Sequence, residues 1–448
     1  MNNPKTQPGG MRGFVIVWFG QFISLLGSGM TGFAISFWLF AETGRATTLT
    51  WALFFFMAPS VLFSPLAGAI VDRTSRKTIM ILSDLASGLV TIALLILFAT
   101  GSIQVWHLYL GNLISGAFNS FQFPAYSAAV TLMLPKEQYG RASGLIGLAG
   151  SASNILAPAF AGAMLGWVGI EGIMLVDVVT FVVAIATLFV VYIPQPQANN
   201  GGSTPNSLWQ DSLFGFRYIW RRPSLLGMQL VFFASNLVAM VGIALMVPMI
   251  LARTGNNELV LASVQSISAI GGVVGGLLMS AWGGPKRKVH GVLIGMILTG
   301  LLGQALMGVG QSLVIWATAA FANQLIIPVL NGSNQAIWQA KVSPEIQGRV
   351  FSVRRLIAQI TAPIATIFIG PLADRIFEPA MAAETSLAQS LDWLISPGPG
   401  AGMALMLVVS GLLAALVGLS GYAITAVRHI ETIIPDHDTL PINVPLVP

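Results

Sequence analysis

Cysteine is absent from this chain of 448 residues, and ionic side chains make up only 8% of it. A soluble domain carries about a quarter charged residues, so a water-wetted surface cannot be built from this composition. The missing cysteines exclude a disulfide-stapled fold, thiolate-ligated zinc, iron–sulfur chemistry and a cysteine nucleophile. The four histidines, His107, His290, His429 and His437, are scattered, and neither a His-Glu-x-x-His nor a Gly-x-Ser-x-Gly string occurs. No Gly-x-x-x-x-Gly-Lys-Ser/Thr loop is present to cradle a nucleotide. The chain therefore reads as neither an enzyme nor a holder of a metal or other cofactor. What it does have is a 55% share of hydrophobic residues, arranged in long uncharged runs.

A membrane-crossing helix needs about 20 mainly apolar residues. The uncharged runs predict twelve such helices, near 14–40, 48–71, 78–100, 106–133, 142–166 and 172–193, then 225–251, 259–283, 290–309, 312–338, 350–374 and 401–427. Lys5 and Arg12 precede a run far longer than the core of a cleavable signal, so the first span is expected to stay. Of the 21 Lys and Arg residues, 18 fall in one alternate set of connections, leaving Arg45, Arg253 and Arg375 in the other. Positive charge stays on the cytoplasmic side, so both termini are expected there, in a multi-pass protein of the cytoplasmic membrane. The basic residues are strung along short loops facing anionic lipid, which argues against nucleic acid as the partner.

Between the sixth and seventh runs lies Pro194-Gln-Pro-Gln-Ala-Asn-Asn-Gly-Gly-Ser-Thr-Pro205, the composition of a flexible linker. It divides the chain into a six-helix bundle at 1–193, a cytoplasmic linker at 194–224, a second six-helix bundle at 225–428 and a tail at 429–448. Leu208, Trp209, Leu213, Phe216, Ile219 and Trp220 share one face of a helix flanked by Arg217, Arg221 and Arg222. This predicts an amphipathic helix on the membrane surface, or a cytoplasmic extension of the seventh span. The halves echo each other: Pro135-Lys-Glu-Gln-Tyr-Gly-Arg141 with Pro344-Glu-Ile-Gln-Gly-Arg349, and Ala157-Pro158 with Ala362-Pro363, as parallel repeats of one unit would.

After the second run the chain reads Gly68-Ala-Ile-Val-Asp72-Arg73-Thr-Ser-Arg76-Lys77. An acid among bases at a cytoplasmic turn can pair with an arginine or a helix N-terminus and latch helix bundles together. The string resembles the signature loop of the major facilitator superfamily, Gly-x-x-x-Asp-Arg-x-x-Arg-Lys, at its usual place. The counterpart loop Trp282-Gly-Gly-Pro-Lys-Arg287, lacking the acid, and Gly370-Pro-Leu-Ala-Asp374-Arg375 are similar to the macrolide-efflux branch of the drug and proton antiporters. Gly150, Asn154, Pro158 and Gly162 approximate that superfamily's exporter motif. The resemblance implies an all-α integral membrane fold of 12 transmembrane helices in two six-helix bundles. It further implies that Gly68, Asp72, Arg73, Arg76, Lys77, Arg141 and Arg349 form the gating machinery. Small residues at these positions also serve ordinary close packing, and Gly271, Gly272, Gly275 and Gly276 are candidates to face the fifth span.

Charge inside a bilayer is costly and marks function by default. Asp84, Asp177 and Asp374 are the acids inside runs and the candidates for proton coupling. In the facilitator fold the third and sixth helices lie outside the cavity, so a structural hydrogen-bonding role for Asp84 and Asp177 stands as the competing reading. Asp374 adjoins Arg375, which offers it a pairing partner. The first, fourth, seventh and tenth spans, which line the cavity in that family, hold amides and aromatics instead. Gln21, Asn119, Gln122, Tyr126, Asn236 and Asn331 are the substrate candidates. Neutral donors and acceptors among Phe, Met and Trp suit a bulky amphiphile better than a compact anion. The expectation is a monomeric secondary exporter of macrolide or multidrug type, working by alternating access with proton antiport. A siderophore exporter, a lysophospholipid transporter and a non-transporting sensor are the alternatives.

Overall fold

Inside a bilayer no water is available to the backbone, so apolar runs must satisfy their N–H and C=O groups within the segment. The computed structural model describes residues 10–135, 139–194 and 208–436, and among them no strand occurs. The first five helices are α1 (Gly10–Thr43), α2 (Ala46–Arg73), α3 (Arg76–Ala99), α4 (Val105–Met133) and α5 (Tyr139–Val190). There follow α6 (Leu208–Trp220), α7 (Pro223–Thr254), α8 (Glu258–Trp282), α9 (Lys288–Leu298), α10 (Leu306–Val309) and α11 (Leu313–Lys341). The last are α12 (Pro344–Gln359), α13 (Thr361–Leu372), α14 (Glu378–Ala380), α15 (Ser386–Leu391), α16 (Ala401–Ala423), α17 (Thr425–Arg428) and α18 (Ile430–Ile433). Among the described residues, ten helical segments are long and apolar enough to cross a membrane.

Two places depart from the runs. The stretches at 142–166 and 172–193 belong to α5, which has 52 residues and would extend about 78 Å if straight. Gly169 interrupts it at φ 67°, ψ −174°, a conformation essentially reserved for glycine, and so divides it into two arms. The stretch at 350–374 is split between α12 and α13. Between α9 and α10 the backbone widens into a π-helical segment, Thr299–Ala305, where Gly300 comes against the carbonyl of Gly411 on α16. The linker beyond Pro194 up to residue 207, and the tail after Asp436, lie outside the described residues.

The chain forms two compact units. The first contains residues 1–200, 247–266 and 366–374; the second contains 201–246, 267–365 and 375–448. In lipid, helices associate through close packing and interhelical hydrogen bonds, because the surrounding tails are as apolar as leucine. In the first unit α1 packs on α5 with Gly20 opposite Thr187 and Gly29 opposite Ala157. Gly116 of α4 sits against the backbone carbonyl of Phe56 on α2. In the second unit Gly271 and Gly275 of α8 meet the backbone of Phe321 and Leu325 on α11, which corrects the expectation that those two glycines face the fifth span. The fifth span meets α8 elsewhere: Gly162 lies against Ala262, and Ser266 Oγ donates to the Ile155 carbonyl at 2.9 Å.

The helix at 208–220 is separate from α7, because the chain turns at Arg221 and Arg222 before Pro223 starts the next helix. Ile219 is buried in a cluster with Ile346 and Val350 of α12, while Phe216 and Trp220 are exposed. The Arg222 guanidinium lies 3.7 Å from the Tyr218 ring centre. Burial pushes the Tyr218 phenol above its ordinary value, against the opposing pull of Arg222.

Candidate functional site: two carboxylates on the α1–α3 seam

Residues seven apart on a helix are two turns apart on one face, with a rise of about 10.5 Å. Gln21 and Ser28 stand in that relation on α1, as do Asp84 and Thr91 on α3, and the two faces meet. At one level Gln21 Nε2 donates to Asp84 Oδ2 at 2.8 Å. Gln122 of α4 donates through Nε2 to Asp84 Oδ1 at 2.8 Å and to Gln21 Oε1 at 3.0 Å. Two turns along, Ser28 Oγ donates to Asp177 Oδ1 at 3.0 Å and Thr91 Oγ1 to Asp177 Oδ2 at 3.1 Å. Asp177 comes from the second arm of α5 and is 3% exposed. The seam thus carries two carboxylates, one held by amides and the other by hydroxyls. Their hydrogen-bonding partners are all neutral.

Three residues proposed from sequence for two different roles, Gln21 and Gln122 for substrate and Asp84 for protons, are one cluster. Tyr126 lies one turn beyond Gln122 on the same face of α4. Its hydroxyl and Gln122 Oε1 are both buried without a hydrogen-bond partner. Such atoms cost about 1–3 kcal/mol each, so their retention marks a position where something other than stability is served.

Asp374 is placed differently from the pairing with Arg375 that its neighbour suggested. Its Oδ1 accepts from the Ala46 N–H at 3.0 Å and its Oδ2 from the Thr47 N–H at 2.7 Å, capping the first turn of α2. Gly370, one turn earlier, lies so close to Thr47 and Thr50 that a methyl group there would collide with them. The carboxylate completes a helix terminus, where unpaired N–H groups and the helix dipole favour an anion.

The remaining candidates are dispersed. Asn119 and Asn331 are exposed in the middle of their helices, and Asn236 is partly buried. Asn112 donates to the Ala52 carbonyl at 3.1 Å, an interhelical tie. Of the exporter-motif residues, Pro158 and Gly162 are buried and Asn154 is exposed; a methyl group on Gly150 would meet nothing. The side chains of Gly68, Asp72, Arg73, Arg141 and Arg349 lie outside the described ones. Arg76 donates to the Thr74 carbonyl at 3.3 Å. Lys77 Nζ donates to the Val191 carbonyl at 2.9 Å and reaches Phe189 O at 3.4 Å, placing a cation at the C-terminus of α5.

Two basic groups escaped the sequence reading. Arg354, which the charge pattern assigned to a cytoplasmic loop, donates to Gln335 Oε1 at 2.7 Å and lies 5.2 Å from the Trp338 ring centre. A cation is thus available within the second unit among neutral partners. Lys341 is buried; its Nζ donates to the Glu431 carbonyl at 2.7 Å and pairs with Asp436 at 2.6 Å. The Glu431 carboxylate in turn accepts from the N–H groups of Lys288 and Val289 at 3.0 and 3.1 Å, capping α9. The seven-residue spacing of polar groups on α1 and α3 was the readable signal for the seam. Nothing in the sequence signalled the strap made by Glu431 and Lys341.

A helical chain that has, among its described residues, ten segments long and apolar enough to cross a membrane, and intrahelical carboxylates held by neutral groups, is a multi-pass protein of the cell membrane. Residues 17–366 match the Major Facilitator Superfamily, and the chain belongs to that superfamily of transporters. Among curated relatives it is 29% identical over 371 residues to macrolide efflux protein A of Streptococcus pyogenes, covering 81% of this chain and 90% of that one. It is 24% identical over 405 residues to the multidrug efflux pump Tap of Mycolicibacterium fortuitum, covering 88% and 95%. Among solved structures, a bacterial homologue of the human lysosomal transporter Spinster, in an inward-facing and unoccupied conformation, aligns with a TM-score of 0.67. It shares 16% identity and covers 93% of this chain and 96% of that one.

Proposed function

We propose that this transporter is a proton-driven secondary exporter of amphiphilic small molecules of macrolide or multidrug type, acting by alternating access, with Asp84 as the group that carries the proton. The observation that carries the reading is the setting of Asp84: a carboxylate in a bilayer helix whose partners, Gln21 and Gln122, are neutral. Without a fixed counter-charge, the ionised form depends on those two amides, and a proton can replace that support. Asp374 is committed to the backbone of α2, and Asp177 is closed in by hydroxyls, so neither is as open to exchange. Exposed mid-helix amides such as Asn119 and Asn331 would be poorly placed against lipid, which supports their facing a solute path. The names of the efflux relatives point the same way.

Twelve crossings with both termini cytoplasmic fit the lengths: α4 has 29 residues, and the two arms of α5 are each long enough to span. The natural absence of cysteine makes the chain its own background for single-cysteine accessibility mapping, which checks this topology directly. Function is tested in inverted vesicles under a proton gradient. Wild-type protein should accumulate erythromycin or a cationic dye, and Asp84→Asn should abolish gradient-driven accumulation while leaving downhill flux. Normal accumulation by Asp84→Asn overturns the assignment. A second reading, transport of an anionic amphiphile such as a lysophospholipid, is favoured by the Arg354 guanidinium among neutral partners. Its test is competition by lysophospholipid in the same vesicles.

A further inference from the structure

The side chains of Gln21, Asp84 and Gln122 close a ring of three hydrogen bonds, and the ring has a parity. Both oxygens of Asp84 accept an N–H, and Gln122 Nε2 is shared between Asp84 Oδ1 and Gln21 Oε1. The contacts are strongest while Asp84 is ionised, because a proton turns one carboxylate oxygen into a hydroxyl, a weaker acceptor. A proton on Oδ1 faces that oxygen's hydroxyl toward the Gln122 N–H. Turning the Gln122 amide offers Oε1 to the hydroxyl but sets two carbonyl oxygens, those of Gln122 and Gln21, against each other. Turning Gln21 as well repairs that contact and places Gln21 Oε1 against the unprotonated oxygen of Asp84. A proton on Oδ2 runs through the same sequence from the other side. Whichever amide turns, at least one contact is lost, and if neither turns one contact is weakened, so protonation of Asp84 loosens its tie to α1 or to α4.

Of the two amides, Gln122 is the one built to turn. In the ring as it stands its Oε1 is buried without a partner, so turning breaks only the contacts of Nε2 and exchanges the places of the two amide atoms, whereas turning Gln21 breaks contacts at both Oε1 and Nε2. One turn along the same face, the partnerless hydroxyl of Tyr126 adds spare hydrogen-bonding capacity. Between them stands Pro124, which has no N–H and removes a rung from the α4 ladder, so the helix is least stiff at this level. The side chains that hydrogen-bond Asp84 are Gln21 from α1 and Gln122 from α4; of the other titratable groups on the described residues of these helices, Tyr126 lies one turn beyond Gln122, and Asp177 lies at the level two turns along, about 10 Å away.

We propose that Gln122 is the positioning residue that converts the protonation of Asp84 into a change in α4, and so links proton release to solute binding. This rests on the assignment of the proton to Asp84. Gln122 does not hold the proton; it is the group whose orientation depends on it. Purified full-length protein in a weakly buffered detergent solution, titrated with erythromycin, tests the inference by the protons released per solute bound, a ratio unaffected by weaker binding. Wild type should release protons on binding, and Asp84→Asn should release none. Gln122→Leu should keep the infrared band of a titrating carboxylic acid at Asp84 while its release ratio falls at least fivefold. Gln122→Met, with the length of glutamine and no amide, is the second variant should the leucine form fold poorly, and Gln122→Asn, with the amide on a shorter arm, should recover part of the ratio. A wild-type ratio in Gln122→Leu or Gln122→Met overturns the role of Gln122, whereas undiminished release from Asp84→Asn overturns the proton assignment beneath it.

Discussion

Removing the carboxylate of Asp374 should loosen the start of α2, and the loss can be sized. Two N–H groups in the first helical turn, those of Ala46 and Thr47, are satisfied by its two oxygens at 3.0 and 2.7 Å. Losing an ordinary capping side chain costs about 0.5–2 kcal/mol, and a hydrogen bond to a charged group is worth about 1.5–3 kcal/mol. Asp374→Ala removes both bonds but opens space for water or lipid headgroups to replace them in part, so the expected loss is about 2–3 kcal/mol. Asp374→Asn keeps one acceptor and should lose roughly half of that. For a unit of this size each kcal/mol moves the melting temperature by about 2–4 °C, so the alanine variant should melt about 4–12 °C lower. Thermal unfolding in one detergent, comparing wild type, Asn and Ala, is the assay. The order wild type, Asn, Ala is required; an alanine variant within about a degree of wild type would refute the capping argument.

Close packing makes a paired prediction. Gly116→Ala drives a methyl group into the Phe56 carbonyl and should cost about 1–3 kcal/mol, whereas Gly150→Ala meets nothing and should melt like wild type. Should Gly150→Ala nonetheless lose transport, its glycine serves conformational change and not packing. Ending the chain after His429 removes the Glu431 cap on α9 together with the Glu431 carbonyl and Asp436 that hold Lys341, and should lower the melting temperature more than Glu431→Gln, which keeps an acceptor. Asn119→Leu and Asn331→Leu should change the relative uptake of two solutes without changing the melting temperature, as read from a competition series; parallel loss of both would make them structural.

Much of this molecule is legible in its amino-acid sequence. Scarce charge, uncharged runs and the one-sided placement of Lys and Arg sufficed for a multi-pass helical membrane protein, because a bilayer admits few alternatives to helices. The loop from Gly68 to Lys77 was enough for the superfamily. The acid in the third run and the amides in the first and fourth were each singled out, yet assigned to different tasks. Asp84 and Gln122 are 38 positions apart, Gln21 and Asp84 are 63, and Gln21 and Gln122 are 101. Their convergence depends on how each helix is rotated about its axis. In a soluble protein an apolar stripe reports that rotation; a helix apolar on every face carries no such stripe.

The same reason explains the other surprises. Asp374 and the start of α2 are joined across 328 positions by a cap that no local pattern announces. Arg354 counted as a loop cation because charge placement along a chain says where a residue lies along the membrane normal and little about the direction its side chain takes. By itself the sequence determined the medium, the helices and the family, since those follow from transfer free energies and short motifs. Only the tertiary structure decided which acid of the apolar runs stands among amides, because in lipid the rotation of a helix is set by packing against its neighbours and not by its own periodicity.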